Sequence, residues 1–319
     1  MQITLEGHDR PIPVEAGDTI LASLLRAGVP FPFSCQAGNC GTCKCELVSG
    51  DILELEHSAH ALSAAERAKG IILACRSQVW DDTTVRRIDA EELVLHPSRV
   101  MRCRVLELQD LTHDIKGLRL EPEAGGPLTF SAGQYAEIEF ASGLSRHYSM
   151  ANRPDEPQLE FHVRNMPGGR TSAYVAAQLK VGDKVKVSGP LGVNYLRDAH
   201  RGPVLLIAGG SGLAPMQSIL RTLLARGHPA PVTLYFAVPG ERDVYHAALL
   251  EELRARYANF SYQVVFSPQV HEAIALPKTQ DAMAYLAGPP ALVEAAVAML
   301  GARGLAPRQI HADAFYDQA

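Results

Sequence analysis

Apolar and polar residues alternate in short runs at the start of the chain. Residues 3–5 and 12–14 read as strands. Residues 19–27 carry the spacing of an amphipathic helix, stopped by Gly28 and Pro30. After a cysteine-bearing loop, residues 44–48 form another strand, the order of a small β-grasp domain over residues 1–95. The stretch 88–96, ending at Pro97, reads as a linker. Residues 98–200 change character: alternation at 101–108, 115–120, 135–140, 159–163 and 184–187, broken by Gly/Pro turns, predicts a closed or nearly closed β-barrel. From 201 to 319 the pattern changes again. Residues 204–208 are continuously apolar, and Met216, Ile219, Leu220, Leu223 and Leu224 then share one helix face. Further strands at 232–238, 262–266 and 283–287 alternate with helices at 243–257 and 291–300. That alternation predicts an α/β domain with a doubly wound parallel sheet.

Cys35, Cys40, Cys43 and Cys75 are spaced C-x4-C-x2-C with a distant fourth member, the plant-type pattern for a [2Fe–2S] cluster. Three thiolates come from one tight loop, in which Gly38 and Gly41 permit positive φ angles and inward-facing backbone amides. A zinc site usually needs two short-spaced cysteine pairs, and only one is present. Cys45 and Cys103 lie in apolar alternations and read as small core residues.

Two turns follow strands in the last segment. The turn Gly209-Gly210-Ser211-Gly212-Leu213-Ala214-Pro215 opens a helix, and Ala287-Gly288-Pro289-Pro290 opens another. Both fall at carboxyl ends of strands, where dinucleotides bind, although plain structural connections look alike. In the barrel segment Arg146 and Tyr148 share a strand face, with Ser149 opposite. The turn Gly168-Gly169-Arg170-Thr171-Ser172 opens a short helix. An arginine, helix-start amides and hydroxyls suit a pyrophosphate, and Tyr148 suits stacking on a flat ring. A nicotinamide gives two electrons together and a cluster takes one, so a flavin seated in the barrel is the expected intermediary.

With 319 residues and a net charge of −5, the chain has room for two or three domains and no basic footprint for nucleic acid or an anionic membrane. The N-terminus shows no basic region followed by an apolar run, and no stretch approaches spanning length, so a cytoplasmic protein is expected. His57 and His60 sit among acidic residues and read as surface positions. The acidic residues Asp51, Glu54 and Glu56 read as a solvated face, and Trp80 as a packing residue.

Together, Cys40-Gly41-Thr42-Cys43, Leu111-Thr112-His113-Asp114-Ile115, Arg146-His147-Tyr148-Ser149-Met150, Gly189-Pro190-Leu191-Gly192 and His311-Ala312-Asp313-Ala314-Phe315-Tyr316 are similar to one family over nearly the full length. The chain resembles the reductase components of aromatic-ring-hydroxylating dioxygenases, most of all the naphthalene dioxygenase reductase type. The resemblance implies a ferredoxin fused to a ferredoxin–NADP reductase-like module with an antiparallel six-stranded flavin-binding β-barrel, acting in aromatic hydrocarbon catabolism. It implies FAD contacts from Arg146, Tyr148, Ser149, His162, Arg164, Gly168, Gly169, Thr171, Ser172 and Phe315. Tyr148, Ser149 and Phe315 would flank the reacting flavin. Gly210, Ser211, Gly212, Pro215, Gly288 and Pro289 match the nicotinamide-nucleotide loops, with Ser211 for the usual Thr and Ala287 for the usual Cys. The latter change implies slower hydride transfer. NADH is the expected donor from the acidic Glu241 and Asp243, with NADPH tolerated by Arg242. The implied partner is a terminal oxygenase or an intermediate ferredoxin. The alternatives are the same path serving a di-iron monooxygenase or a deoxysugar dehydratase, or an electron carrier with a decayed nucleotide site.

Overall fold

The computed structural model describes residues 1–33, 36–38, 41–59, 61–88, 94, 96–266, 274 and 281–316. It divides into two compact units, Met1–Leu95 and His96–Ala319. Most of the expected linker, together with His60, lies outside the described residues.

In the first unit, β1 (Gln2–Leu5), β2 (Ile12–Pro13), α1 (Ile20–Arg26), β3 (Lys44–Ser49), β4 (Ile52–Glu54), α2 (Ala64–Arg67), β5 (Ile71–Leu73), β6 (Ser77–Val79) and β7 (Thr83–Arg87) follow in order. Five of the strands make a mixed sheet, β2-β1-β7-β3-β5, in which β1 runs parallel to β7. Helix α1 begins where expected because Thr19 Oγ1 accepts from Ala22 N at 3.2 Å. It buries Ile20, Leu21 and Leu24 against Ile3, Cys45, Leu73 and Val85. Cys45 and Cys103 are fully buried, as the alternation predicts, and burial pushes both thiols up to about 12. Trp80 is a correction: it is 73 % exposed. Val79 points inward, so strand alternation turns the next side chain outward. His57 is also less exposed than expected, with Nε2 against Glu54 Oε1 at 2.5 Å.

A capping box starts α2, with Ser63 and Glu66 bonded reciprocally. Glu66 also accepts from Lys44 Nζ at 2.6 Å, and that bond together with Ser63 holds its carboxyl down to about 2. A depressed carboxylate stabilises the fold above its ordinary value of 4.5, and that contribution is lost as pH falls towards 2. Far-UV circular dichroism melts at stepped pH should therefore show Glu66→Gln with a shallower acid dependence than the parent across that window.

The second unit opens with β8 (Arg99–Asp110), β9 (Ile115–Pro122), β10 (Tyr135–Ala141), β11 (Leu144–Ser149), β12 (Leu159–Arg164), α3 (Arg170–Ala177) and β13 (Lys184–Leu191). These strands form a six-stranded antiparallel sheet, β11-β10-β13-β8-β9-β12. Its two edge strands meet just past Ser149, where Met150 bridges Phe161. The sheet thus curls to a near-closed barrel around Cys103, Leu118, Ile138, Phe161 and Val187.

The chain then forms β14 (Val204–Gly209), α4 (Leu213–Ala225), β15 (Val232–Val238), α5 (Ala247–Arg256), β16 (Phe260–Phe266), β17 (Met283–Gly288), α6 (Pro290–Ala302) and β18 (Ile310–Ala314). All five strands are parallel, in the order β16-β15-β14-β17-β18. Leu206, Ala208 and Phe236 face α4 and α5, whereas Leu205, Ile207 and Tyr235 face α6. Helices on both faces explain the continuously apolar strands. Helix α5 starts later than its periodicity suggests. Residues Glu241–Asp243 form a 3₁₀ turn, and His246 takes a left-handed φ of 56°. This arrangement buries Asp243, 3.6 Å from His113 Nδ1, and sends Tyr245 into the core. Among the described residues, no helix is long and apolar enough to cross a membrane.

Candidate functional site

Three places gather the chemistry. In the first, the pairing of Lys44 with Leu73 sets the start of β3 beside the end of β5. Cys43 and Cys75 therefore lie together and buried, with Cys75 N donating to Cys43 Sγ at 3.5 Å. A backbone N–H aimed at a buried sulfur suits a thiolate ligand. Gly38 and Gly41 have φ values of 77° and 72°. A Cβ on Gly41 would meet Ala61 O at 2.8 Å, so geometry and space both demand glycine there. Cys35 and Cys40 lie outside the described residues.

The second place is the seam between β11 and β12, beside α3. Arg146 is exposed, while Tyr148 is half-buried and edge-on to Phe140 at 5.9 Å between centroids. Burial pushes the Tyr148 phenol up to about 12, against the opposing Arg146 charge, so it stays protonated at neutral pH. Ser149 is buried. Helix α3 starts at Gly169 with no capping side chain, so the amides of Arg170, Thr171 and Ser172 head the helix. Such an uncapped start, approached through Gly168 at φ 73°, fits a phosphate. The Ser172 hydroxyl holds the turn itself, accepting from Met166 N at 3.0 Å and donating to Gly169 O at 3.2 Å. Thr171 is buried. Both residues thus offer their amides rather than their hydroxyls.

His162 is a correction. Its side chain has 0 % exposure and points to the α/β layer, with Nδ1 3.0 Å from Tyr245 Oη. A ring turned to that side does not line a flavin seated at the seam of β11 and β12. Arg164, two residues on and on the same strand face, bonds Asp114 through Nε at 2.8 Å and lies against Gly210.

In the third place, the turns after β14 and β17 touch. A Cβ on Gly212 would sit 2.1 Å from Ala287 O, and one on Gly288 would meet Gly209 backbone at 2.9 Å. Only glycines allow this approach, which leaves the start of α4 clear of side chains. Ser211 is half-buried and Pro215 buried in the first turn of α4, while Pro289 is exposed before α6. Ala287 is fully buried. Phe315 follows β18, half-buried, and its N–H donates to Gly288 O at 2.9 Å. Tyr245 Oη donates to Gly210 O at 3.3 Å, so β12 of the barrel and the first glycine turn share one hydrogen-bonded network. Ser218 Oγ to Asn152 O at 2.6 Å and Arg221 to Glu156 at 2.5 Å also bind α4 to the barrel. Of the nucleotide-selecting candidates, Glu241 and Arg242 are exposed, whereas Asp243 is turned inward.

Periodicity along the chain does not mark Glu160, Tyr245, His246 or Asp114 as site residues. Their signal was the polar side of β12, where Glu160, His162 and Arg164 alternate with Leu159, Phe161 and Val163. A strand polar on one face yet flanked by apolar neighbours marks a face that meets another layer.

Family models match in three successive stretches. They are a 2Fe-2S iron-sulfur cluster binding domain over residues 3–79, an oxidoreductase FAD-binding domain over 102–195 and an oxidoreductase NAD-binding domain over 206–298. The ferredoxin–NAD(P)(+) reductase component of the naphthalene 1,2-dioxygenase/salicylate 5-hydroxylase systems of a Ralstonia species is 39% identical over 99% of both chains. The corresponding naphthalene 1,2-dioxygenase component of Pseudomonas putida is 36% identical, again over 99% of both. The chain belongs to this reductase family. The crystal structure of the Amycolatopsis cytochrome P450 reductase GcoB matches the reductase with a TM-score of 0.82 and 37% identity, covering 98% of each chain. The ferredoxin reductase in carbazole 1,9a-dioxygenase matches with a TM-score of 0.70 and 29% identity, covering 99% of this chain and 98% of that one. The reductase is an oxidoreductase that uses a [2Fe–2S] cluster, FAD and NADH, and it carries electrons from NADH through FAD to the cluster. The buried thiol pair, the uncapped start of α3 and the paired glycine turns fit these three groups.

Proposed function

We propose that the reductase supplies a terminal aromatic-ring-hydroxylating oxygenase, directly or through an intermediate ferredoxin. The observation that carries this reading is the full-length likeness to relatives named for naphthalene dioxygenase systems. A phenol 2-monooxygenase reductase component from a Pseudomonas species, 37% identical, keeps a monooxygenase acceptor as the second reading. The division of labour is residues 1–95 for the cluster, 98–200 for the flavin and 201–319 for the nicotinamide nucleotide.

When bound, FAD supplies the exchange between a two-electron hydride donor and a one-electron acceptor. The chain's own residues hold and orient the partners in that exchange. Cys35, Cys40, Cys43 and Cys75 would ligate the cluster. Arg146 and the amides of Arg170, Thr171 and Ser172, approached through Gly168 and Gly169, would neutralise the FAD phosphates. Tyr148 would pack on the flavin ring, with the Ser149 hydroxyl near its reactive edge and Phe315 covering the other side. Arg164, fixed by Asp114, would border both the flavin and the Gly210 turn. Gly210, Ser211, Gly212, Pro215, Gly288 and Pro289 would cradle the dinucleotide.

The test is anaerobic addition of NADH to the purified reductase, followed by an aromatic-ring oxygenase. Flavin and cluster bands that bleach together and recover on adding oxygenase and substrate are the expected result. Recovery only with a di-iron monooxygenase would move the acceptor to the second reading. Arg146→Ala should weaken FAD binding by roughly tenfold to a hundredfold, the worth of one charged hydrogen bond. Fluorescence titration of the FAD-stripped protein checks this, and cluster absorbance should be unchanged.

A further inference from the structure

Behind the flavin and nucleotide sites, Glu160 and His162 of β12 meet His246 at the head of α5. One ligand atom from each lies within 4.8 Å of the others. The hydrogen bonds around them leave both imidazole Nε2 atoms without a partner. With the one Tyr245 Oη proton on Gly210 O at 3.3 Å, His162 Nδ1–H is the donor to Tyr245 Oη at 3.0 Å. The Nε2 of His162 then carries a lone pair, and it faces Glu160 Oε1 at 3.5 Å. That nitrogen has no hydrogen-bond partner and no exposure, and the buried Nε2 of His246 has no hydrogen-bond partner either.

Two imidazole nitrogens and a carboxylate therefore converge, and neither nitrogen makes a hydrogen bond. We propose that Glu160, His162 and His246 form a binding site for a divalent transition-metal cation of the zinc class. Two histidines and one carboxylate are a known zinc donor set, and they leave a fourth position for water. The 3.5 Å between Glu160 Oε1 and His162 Nε2 matches ligands lying about 2.0–2.2 Å from a shared tetrahedral ion. The Nδ1–H bond to Tyr245 is the outer contact that fixes the ring and tautomer of a metal-binding histidine. His246 reaches the cluster only by adopting φ 56°, a conformation a non-glycine residue keeps when its surroundings impose it. Glu160, whose side chain is 20 % exposed, opens the site to solvent.

The group His113, Asp114 and Asp243 makes a useful contrast. Asp114 there is already bonded to Arg164 and Thr112, so its charge is spent. A cation at Glu160, His162 and His246 would tie β12 to α5 next to the Gly210 turn, joining the barrel to the nucleotide layer.

The test uses the complete reductase with its cluster and flavin, titrated with Zn2+ against a chromophoric chelator. Visible spectra recorded throughout confirm that the cluster persists. Cys45 and Cys103 are buried and protonated, so they do not compete. The parent should bind one zinc per chain, and His246→Gln and Glu160→Gln should each weaken it at least tenfold. Zinc-edge X-ray absorption of the loaded parent should show nitrogen and oxygen neighbours without sulfur. Equal zinc affinity in parent and variants, sulfur around the zinc, or no binding by the parent would each overturn the site. A proton shared by Glu160 and His162 would then occupy the gap.

Discussion

Replacing Cys43 with serine should remove the cluster's visible absorbance and leave bleaching of the flavin by NADH in place. The thiol sits at the head of β3, buried, and receives the Cys75 amide. Serine keeps the volume roughly but offers a poor ligand for iron, so the four-thiolate cage is broken. Reduction of a one-electron acceptor such as cytochrome c should fall by roughly a hundredfold or more, since even partners of metal ligands are worth up to that much. The cluster unit and the unit from His96 onward have separate cores, so the loss should stop at the cluster. A folded Cys43→Ser protein that also failed to bleach its flavin with NADH would sink the modular path. Absorption spectra and stopped-flow traces on one sample give both readings.

The second large effect belongs to Gly212→Ala. Its φ of −61° suits alanine, so no backbone penalty applies. The added Cβ would lie 2.1 Å from Ala287 O and 2.5 Å from Ala287 C, both backbone atoms of β17. Neither can rotate away, so the glycine turn or the strand end must shift. Overpacking of this kind costs about 1–3 kcal/mol of stability. The functional cost should be larger, because a displacement near 1 Å at a reacting site can lower a rate by about a hundredfold. Stopped-flow reduction of the flavin should show a rate or NADH affinity lowered by at least tenfold, with FAD and cluster content normal. Gly301→Ala is the control, since a Cβ there meets nothing within 4 Å. It should leave flavin reduction unchanged and stabilise by up to about 1 kcal/mol. Equal rates for Gly212→Ala and the parent would mean that the turn takes no part in NADH binding.

Where a property depended on neighbours in the chain, the sequence determined it. The cysteine spacing announced the cluster because three ligands must share one loop. Continuous apolar runs announced the parallel sheet because helices cover both its faces, and clean alternation announced the barrel because only one face of its sheet is buried. Thr19 marked a helix start because an N-cap is satisfied within three residues. Local periodicity says whether a face is polar, but it does not say what that face will meet. Trp80 read as a packing residue and lies outside because Val79 took the inward position. His162 matched a flavin-lining strand and instead turned to Tyr245 and His246, more than eighty positions away in the chain. The late start of α5, the burial of Asp243 and the meeting of Glu160, His162 and His246 have the same origin. Each is fixed where the barrel packs on the α/β layer, and buried polar groups there must take their partners from distant segments. Only the tertiary structure brings those segments together.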